Sequence, residues 1–90
     1  MALVISADND RRTDVVVAYI TSAVRGDPDA KVMEPTGENG LKVPSMVRFD
    51  KVATIHKDII AGRLGEADAA WLAEARRIFF GVFGFGNPTN

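Results

Sequence analysis

The hydrophobic pattern changes character once along the chain. Short β-branched and aliphatic runs broken by turn residues occupy the chain up to about residue 57, and helical spacing takes over from Glu66. Residues 1–6 read as a buried strand that stops at the turn-forming Ala7-Asp8-Asn9-Asp10. Residues 14–21 carry Val15, Val16, Val17, Tyr19 and Ile20, a density of β-branched and aromatic side chains that predicts a central strand. Gly26-Asp27-Pro28-Asp29 predicts a turn and residues 31–34 a short strand. A second turn, 35–40, ends in an Asn39-Gly40 pair suited to positive φ, so two successive hairpins are expected.

Residues 41–50 predict the next strand, with Pro44 at an edge or bulge because proline cannot donate to the ladder. Counting by two puts Ser45, Val47 and Phe49 on one face and Met46, Arg48 and Asp50 on the other. After a bend, residues 51–57 continue as another strand, and 58–65 form a connector. From residue 66 to about 80, Leu72, Ala75, Phe79 and Val82 make one stripe of a helix with Asp68, Glu74 and Arg77 on its polar side. Acidic residues early and arginines late suit the helix dipole. Gly81, Gly84 and Gly86 are expected to fray its end. Five of the seven aromatics, Trp71, Phe79, Phe80, Phe83 and Phe85, fall in this last quarter and read as the cap of a small β-barrel.

Ninety residues suit one domain spanning 1–90. The absence of cysteine excludes disulfide scaffolds, thiolate zinc sites and thiol nucleophiles. A core this small gains from a second subunit, so a homodimer is expected. No apolar run approaches the roughly 20 residues needed to cross a bilayer, and the apolar start carries no basic leader, which predicts a cytoplasmic protein without membrane contact. Charge is balanced, at a net of -1, and neither half is a basic tail. Contact with a polyanion therefore has to use a local cluster such as Arg48, Lys51 and Lys57.

Four segments, in order and spacing, resemble one family: Ala2-Leu3-Val4-Ile5-Ser6, Val17-Ala18-Tyr19-Ile20-Thr21-Ser22, the stretch from Gly40 through Arg48-Phe49-Asp50 to Ile55, and Gly62-Arg63-Leu64-Gly65. The chain resembles the MazF/PemK toxins of bacterial toxin–antitoxin pairs over nearly its whole length. The resemblance implies a mainly β fold with a C-terminal helix, an SH3-like small antiparallel β-barrel. It also implies a dimeric, metal-independent, sequence-specific endoribonuclease without a cofactor, cutting single-stranded RNA and held inactive by a cognate antitoxin. By position, Thr21 and Ser22 fall where the family contacts RNA, and Arg48 and Asp50 fall on an Arg-x-Asp pair used catalytically in the PemK-like branch.

These residue types fit cleavage through the 2′-hydroxyl, which needs a base, a proton for the leaving oxygen and positive charge on the phosphorane. Asp50 suits the base, Arg48 the phosphate clamp and Thr21 a hydroxyl donor. Family members ordinarily begin with a further strand and a loop of the type Gly-x-Glu-Gln-x-Gly-x-Arg-Pro that adds an arginine to the site. Met1 stands where the chain emerges from that loop, so weak cleavage is expected of the ninety residues by themselves. Two other readings share the barrel: a truncated homologue that dimerises and binds antitoxin without cutting, and a gyrase poison like CcdB, whose C-terminal signature is not found. His56 reads as a solvated residue at a strand end, Arg76 and Arg77 as a solvated helix face, and Asn39-Gly40 as turn chemistry alone.

Overall fold

The β-branched run at the centre of the chain builds the middle of one sheet. Strands β1 (Ala2–Val4), β2 (Asp14–Thr21), β3 (Ala30–Met33) and β4 (Ser45–His56) are all antiparallel in the order β1-β2-β4-β3. A 3₁₀ turn (Lys57–Ile59) and helix α1 (Ala69–Phe83) follow. The computed structural model describes residues 1–7, 10–60, 62 and 64–84. Turn residues Asp8 and Asn9, Arg63 of the connector, and Phe85 and Gly86 lie outside the described residues. The result is a curved half-barrel closed on one face by the helix, the mainly β architecture expected.

Its hairpins differ from the expectation in one respect. β2 does not pair with β3; β4 lies between them, so the chain after Thr21 crosses to the far side of β4 before β3 begins. β3 and β4 do form the second hairpin. It starts one residue early, at Ala30, and β4 starts late, at Ser45, because residues 41–44 contain Pro44 and leave the ladder. The expected bend near Asp50 is a bulge within one continuous strand. Ala18 pairs with Val52 but Tyr19 with Arg48, so Phe49, Asp50 and Lys51 all stand opposite a single step of β2.

The inner face holds Ala18, Ile20, Met33, Leu41, Val47 and Phe49, with Ala75 of α1 laid against them. By strand alternation Val15, Val17, Ala30 and Met46 are buried on the opposite, outer face. Helix α1 begins three residues later than its pattern suggests, because the Asp68 carboxylate accepts from the Trp71 N–H at 3.2 Å and caps it there. Glu66 N–H is instead tied to the Glu38 carbonyl at 2.7 Å. The helix also continues through Gly81 and ends at Gly84, whose φ of 76° makes the stop. Neither terminal turn therefore carries the complementary charges expected, and Arg76 and Arg77 sit in mid-helix.

The buried stripe runs through Trp71, Ala75, Ile78, Phe79 and Val82, while Leu72 faces outward. Trp71 fixes this rotation: its Nε1–H donates to the Val32 carbonyl at 2.7 Å, and its ring lies 6.3 Å from that of Phe49, which also meets Phe79 edge-on. Lys31 on β3 reaches Glu74 at 2.7 Å, and its hydrogen bond holds the Glu74 carboxyl below the usual range.

Asn39 proves to be more than turn chemistry. It is buried, its Oδ1 accepts from Thr36 and Leu41 N–H, and its Nδ2 donates to the Glu34 carbonyl. Gly40 beside it has a φ of 70°, and a Cβ there would meet the Leu64 carbonyl oxygen at 2.5 Å.

Candidate nucleic-acid interface

Alternation along β2 and β4 collects Thr21, Arg48 and Asp50 on the outer face. Tyr19 pairs with Arg48 and Thr21 with Met46, so Thr21 and Arg48 are diagonal neighbours across the two central strands. Arg48 and Asp50 are two apart on β4 and meet: Arg48 Nη2 donates to Asp50 Oδ2 at 2.8 Å and Nε to Oδ1 at 3.2 Å, a two-pronged contact. The loop that crosses β4 brings a third charge, Asp27, whose Oδ2 lies 4.0 Å from Arg48 Nε.

This pairing sets the proton affinities. The hydrogen bond from Arg48 holds the Asp50 carboxyl below the ordinary carboxylate range, and the same bond raises Arg48 above its ordinary value. Asp50 is therefore ionised throughout the physiological range and tightly occupied. An anion arriving at Arg48 has to compete with it.

Thr21 and Ser22 lie at the end of β2, where the chain turns away. Thr21 Oγ1 accepts from Ala23 N–H at 3.1 Å, and Ser22 is exposed. Both line an open groove of about 470 Å³ together with Tyr19, Lys42, Val43 and Leu64. Arg48 and Asp50 do not line it. The four sequence-derived candidates thus form two pairs, one charged and one hydroxylic, and Tyr19 lies at both: in the groove with Thr21 and opposite Arg48 in the ladder.

Sequence reasoning missed Asp27 and Tyr19. The Gly-Asp-Pro-Asp stretch reads as a turn, which it is, since Asp27 Oδ1 accepts from Asp29 N–H at 2.9 Å. Its approach to Arg48 follows only from the crossing of β4. Tyr19 was visible in the alternation, two residues from Thr21 on one strand. His56 is exposed as expected, with its ring nitrogen accepting from Asp58 N–H at the start of the 3₁₀ turn. Among the described residues no group of three or more His, Cys, Asp or Glu could hold a metal ion, and no helix is long and apolar enough to cross a membrane.

Comparison with known proteins agrees with the fold. In the solved structures, the chain is similar to the Mycobacterium tuberculosis toxin MazF-mt6, at 27% identity and a TM-score of 0.81 over 92% of this chain and 84% of that one. It is similar also to an endoribonuclease in complex with its cognate antitoxin from a mycobacterial species, at 26% identity and a TM-score of 0.80 over 92% and 79%. A structure described as an Mtb toxin aligns at 27% identity and a TM-score of 0.81 over 91% and 90%. No curated protein matches the chain. The family model for the PemK-like, MazF-like toxin of type II toxin–antitoxin systems matches residues 1–80. Because that match runs through all four strands and most of the helix rather than through one motif, the chain belongs to this toxin family.

Proposed function

We propose that the chain is the toxin of a type II pair and acts in the cytoplasm as a homodimeric, sequence-specific endoribonuclease that cuts single-stranded RNA without a metal. One observation carries the reading. A charged Arg48–Asp50 pair and the hydroxyl of Thr21 share one sheet face beside an open groove, in a fold whose solved relatives include an endoribonuclease.

The chemistry follows from the occupied state of Arg48. A phosphate reaching the guanidinium takes over N–H donors that now bind Asp50, and the released carboxylate regains basicity next to the substrate. Asp50 then accepts the 2′-hydroxyl proton. The 2′-oxygen attacks the adjacent phosphorus, the bond to the 5′-oxygen breaks, and that oxygen takes a proton from water. The products are a 2′,3′-cyclic phosphate and a 5′-hydroxyl. Arg48 neutralises charge that grows on the phosphorane, and Thr21 and Ser22 hydroxyls hold the flanking backbone.

The antitoxin contributes an acidic and apolar segment that covers Arg48 and Thr21 and competes with RNA. The test is a gel assay on a long unstructured RNA in EDTA. Weak cleavage into discrete fragments with cyclic phosphate ends is expected of the ninety residues, reduced by about 10² or more in Arg48→Ala and Asp50→Asn. A folded protein that binds antitoxin but leaves RNA intact would identify a binding-only homologue instead.

A further inference from the structure

We propose that Tyr19 is a stacking platform for one base of the bound RNA, next to the phosphate held by Arg48; the inference rests on the outer face being the RNA site. Tyr19 stands out among the aromatics. Phe49, Trp71, Phe79, Phe80 and Phe83 engage one another on the helix side, whereas no ring of the described residues touches Tyr19. It is 49% exposed on a central strand whose same-face neighbours Val15 and Val17 are buried. A half-exposed ring in the middle of a sheet offers one apolar face and one polar tip to a ligand.

The surroundings say which ligand. Cross-strand pairing places the Cβ atoms of Tyr19 and Arg48 about 5 Å apart, and Thr21 lies one alternation further along the same face, lining the groove with Tyr19. A flat apolar surface flanked on one side by a guanidinium and on the other by hydroxyls offers a partner to each part of a nucleotide: the base, the phosphate and the sugar. Stacking tolerates every base, since each has a π-face, so Tyr19 fixes where the strand sits along β2 and not which base is chosen. It is a positioning residue for the phosphate at Arg48.

The experiment uses the full chain and a fluorescein-labelled single-stranded oligonucleotide with 2′-fluoro sugars, which lack the attacking hydroxyl, with affinity read by anisotropy at fixed salt. Tyr19→Ala should weaken binding about tenfold or more and Tyr19→Phe less than about threefold. An abasic nucleotide moved along the oligonucleotide should weaken wild-type binding sharply at one position and have no further effect there in Tyr19→Ala. Equal abasic penalties in both proteins, or an unchanged affinity for Tyr19→Ala, would overturn the proposal while leaving the RNA site standing. Absence of RNA binding by wild type would remove the reading beneath it. If Tyr19→Ala turns a dimer into a monomer in sedimentation and the abasic scan is flat in both proteins, the ring is a subunit contact and the proposal fails.

Discussion

Replacing Asn39 with alanine removes the side chain that fastens the β3–β4 connection to itself and to the inner core. Three hydrogen bonds go at once: Thr36 N–H to Oδ1 at 3.0 Å, Leu41 N–H to Oδ1 at 2.9 Å, and Nδ2–H to the Glu34 carbonyl at 2.8 Å. They are not equal. The Leu41 bond is buried, so its loss leaves a buried N–H without its acceptor and costs about 2 kcal/mol, while the two partly buried bonds cost about 1 kcal/mol or less each. The sum is about 3 kcal/mol. In a domain of this size each kcal/mol lowers the melting temperature by about 4–8 °C, so a fall of about 12 °C or more is expected.

Asn39→Asp separates the parts, since it keeps both accepting positions while it replaces the donor to Glu34 with an oxygen facing that carbonyl. It should cost about 1–2 kcal/mol. Urea and thermal denaturation followed by circular dichroism read both variants, with an unchanged m-value showing that the unfolded state is the same. Alanine within 0.5 kcal/mol of wild type, or aspartate as damaging as alanine, would refute the reasoning.

Further outcomes follow from single positions. Val47→Ala, at a fully buried inner-face site, should cost about 2 kcal/mol in urea denaturation. Gly40→Ala combines a φ of 70° with a Cβ 2.5 Å from the Leu64 carbonyl oxygen and should cost about 2 kcal/mol or more, read by thermal melting. Asp50 has a depressed folded pKa, so its link to Arg48 supports the fold above about pH 4 and weakens as pH falls through the folded value. The stability gap between wild type and Asp50→Asn should therefore be widest at neutral pH and close in acid, measured by denaturation across that range. Asp27→Asn removes one of two carboxylates competing for Arg48 and should tighten RNA binding several-fold in a filter assay, with no change if Asp27 is only a turn residue.

What could be read from the sequence was what local pattern determines. β2 was legible to the residue because Val15 to Ile20 is dense in β-branched side chains. The start of α1 was placed three residues early because Glu66, Ala67 and Asp68 offer several starts of similar propensity. Only the Asp68 bond to Trp71 chooses among them. Pairing between strands was the least legible. Nothing near Thr21 or Ala30 reveals that β4 inserts between their strands, and hence nothing announces that Asp27 will stand 4.0 Å from Arg48. The Arg48–Asp50 contact was legible from spacing, because i and i+2 on a strand share a face. Its neighbour Tyr19 required the register.

The bulge in β4 gives the two charged residues different freedoms. Arg48 is clamped between Tyr19 on β2 and Ala30 on β3, whereas Asp50 falls in the stretch that faces no residue of β2. Between them Phe49 N–H is moored to the Asp29 carbonyl at 3.0 Å. The residue proposed to grip is thus built into the ladder on both sides, and the residue proposed to exchange protons stands in the bulge, without a partner on β2. Natural variation can exchange or reposition the residue at 50 without slipping the registry of the sheet. At 48 the same variation bears on three strands together, so the residue at 50 should vary among lineages more readily than the residue at 48.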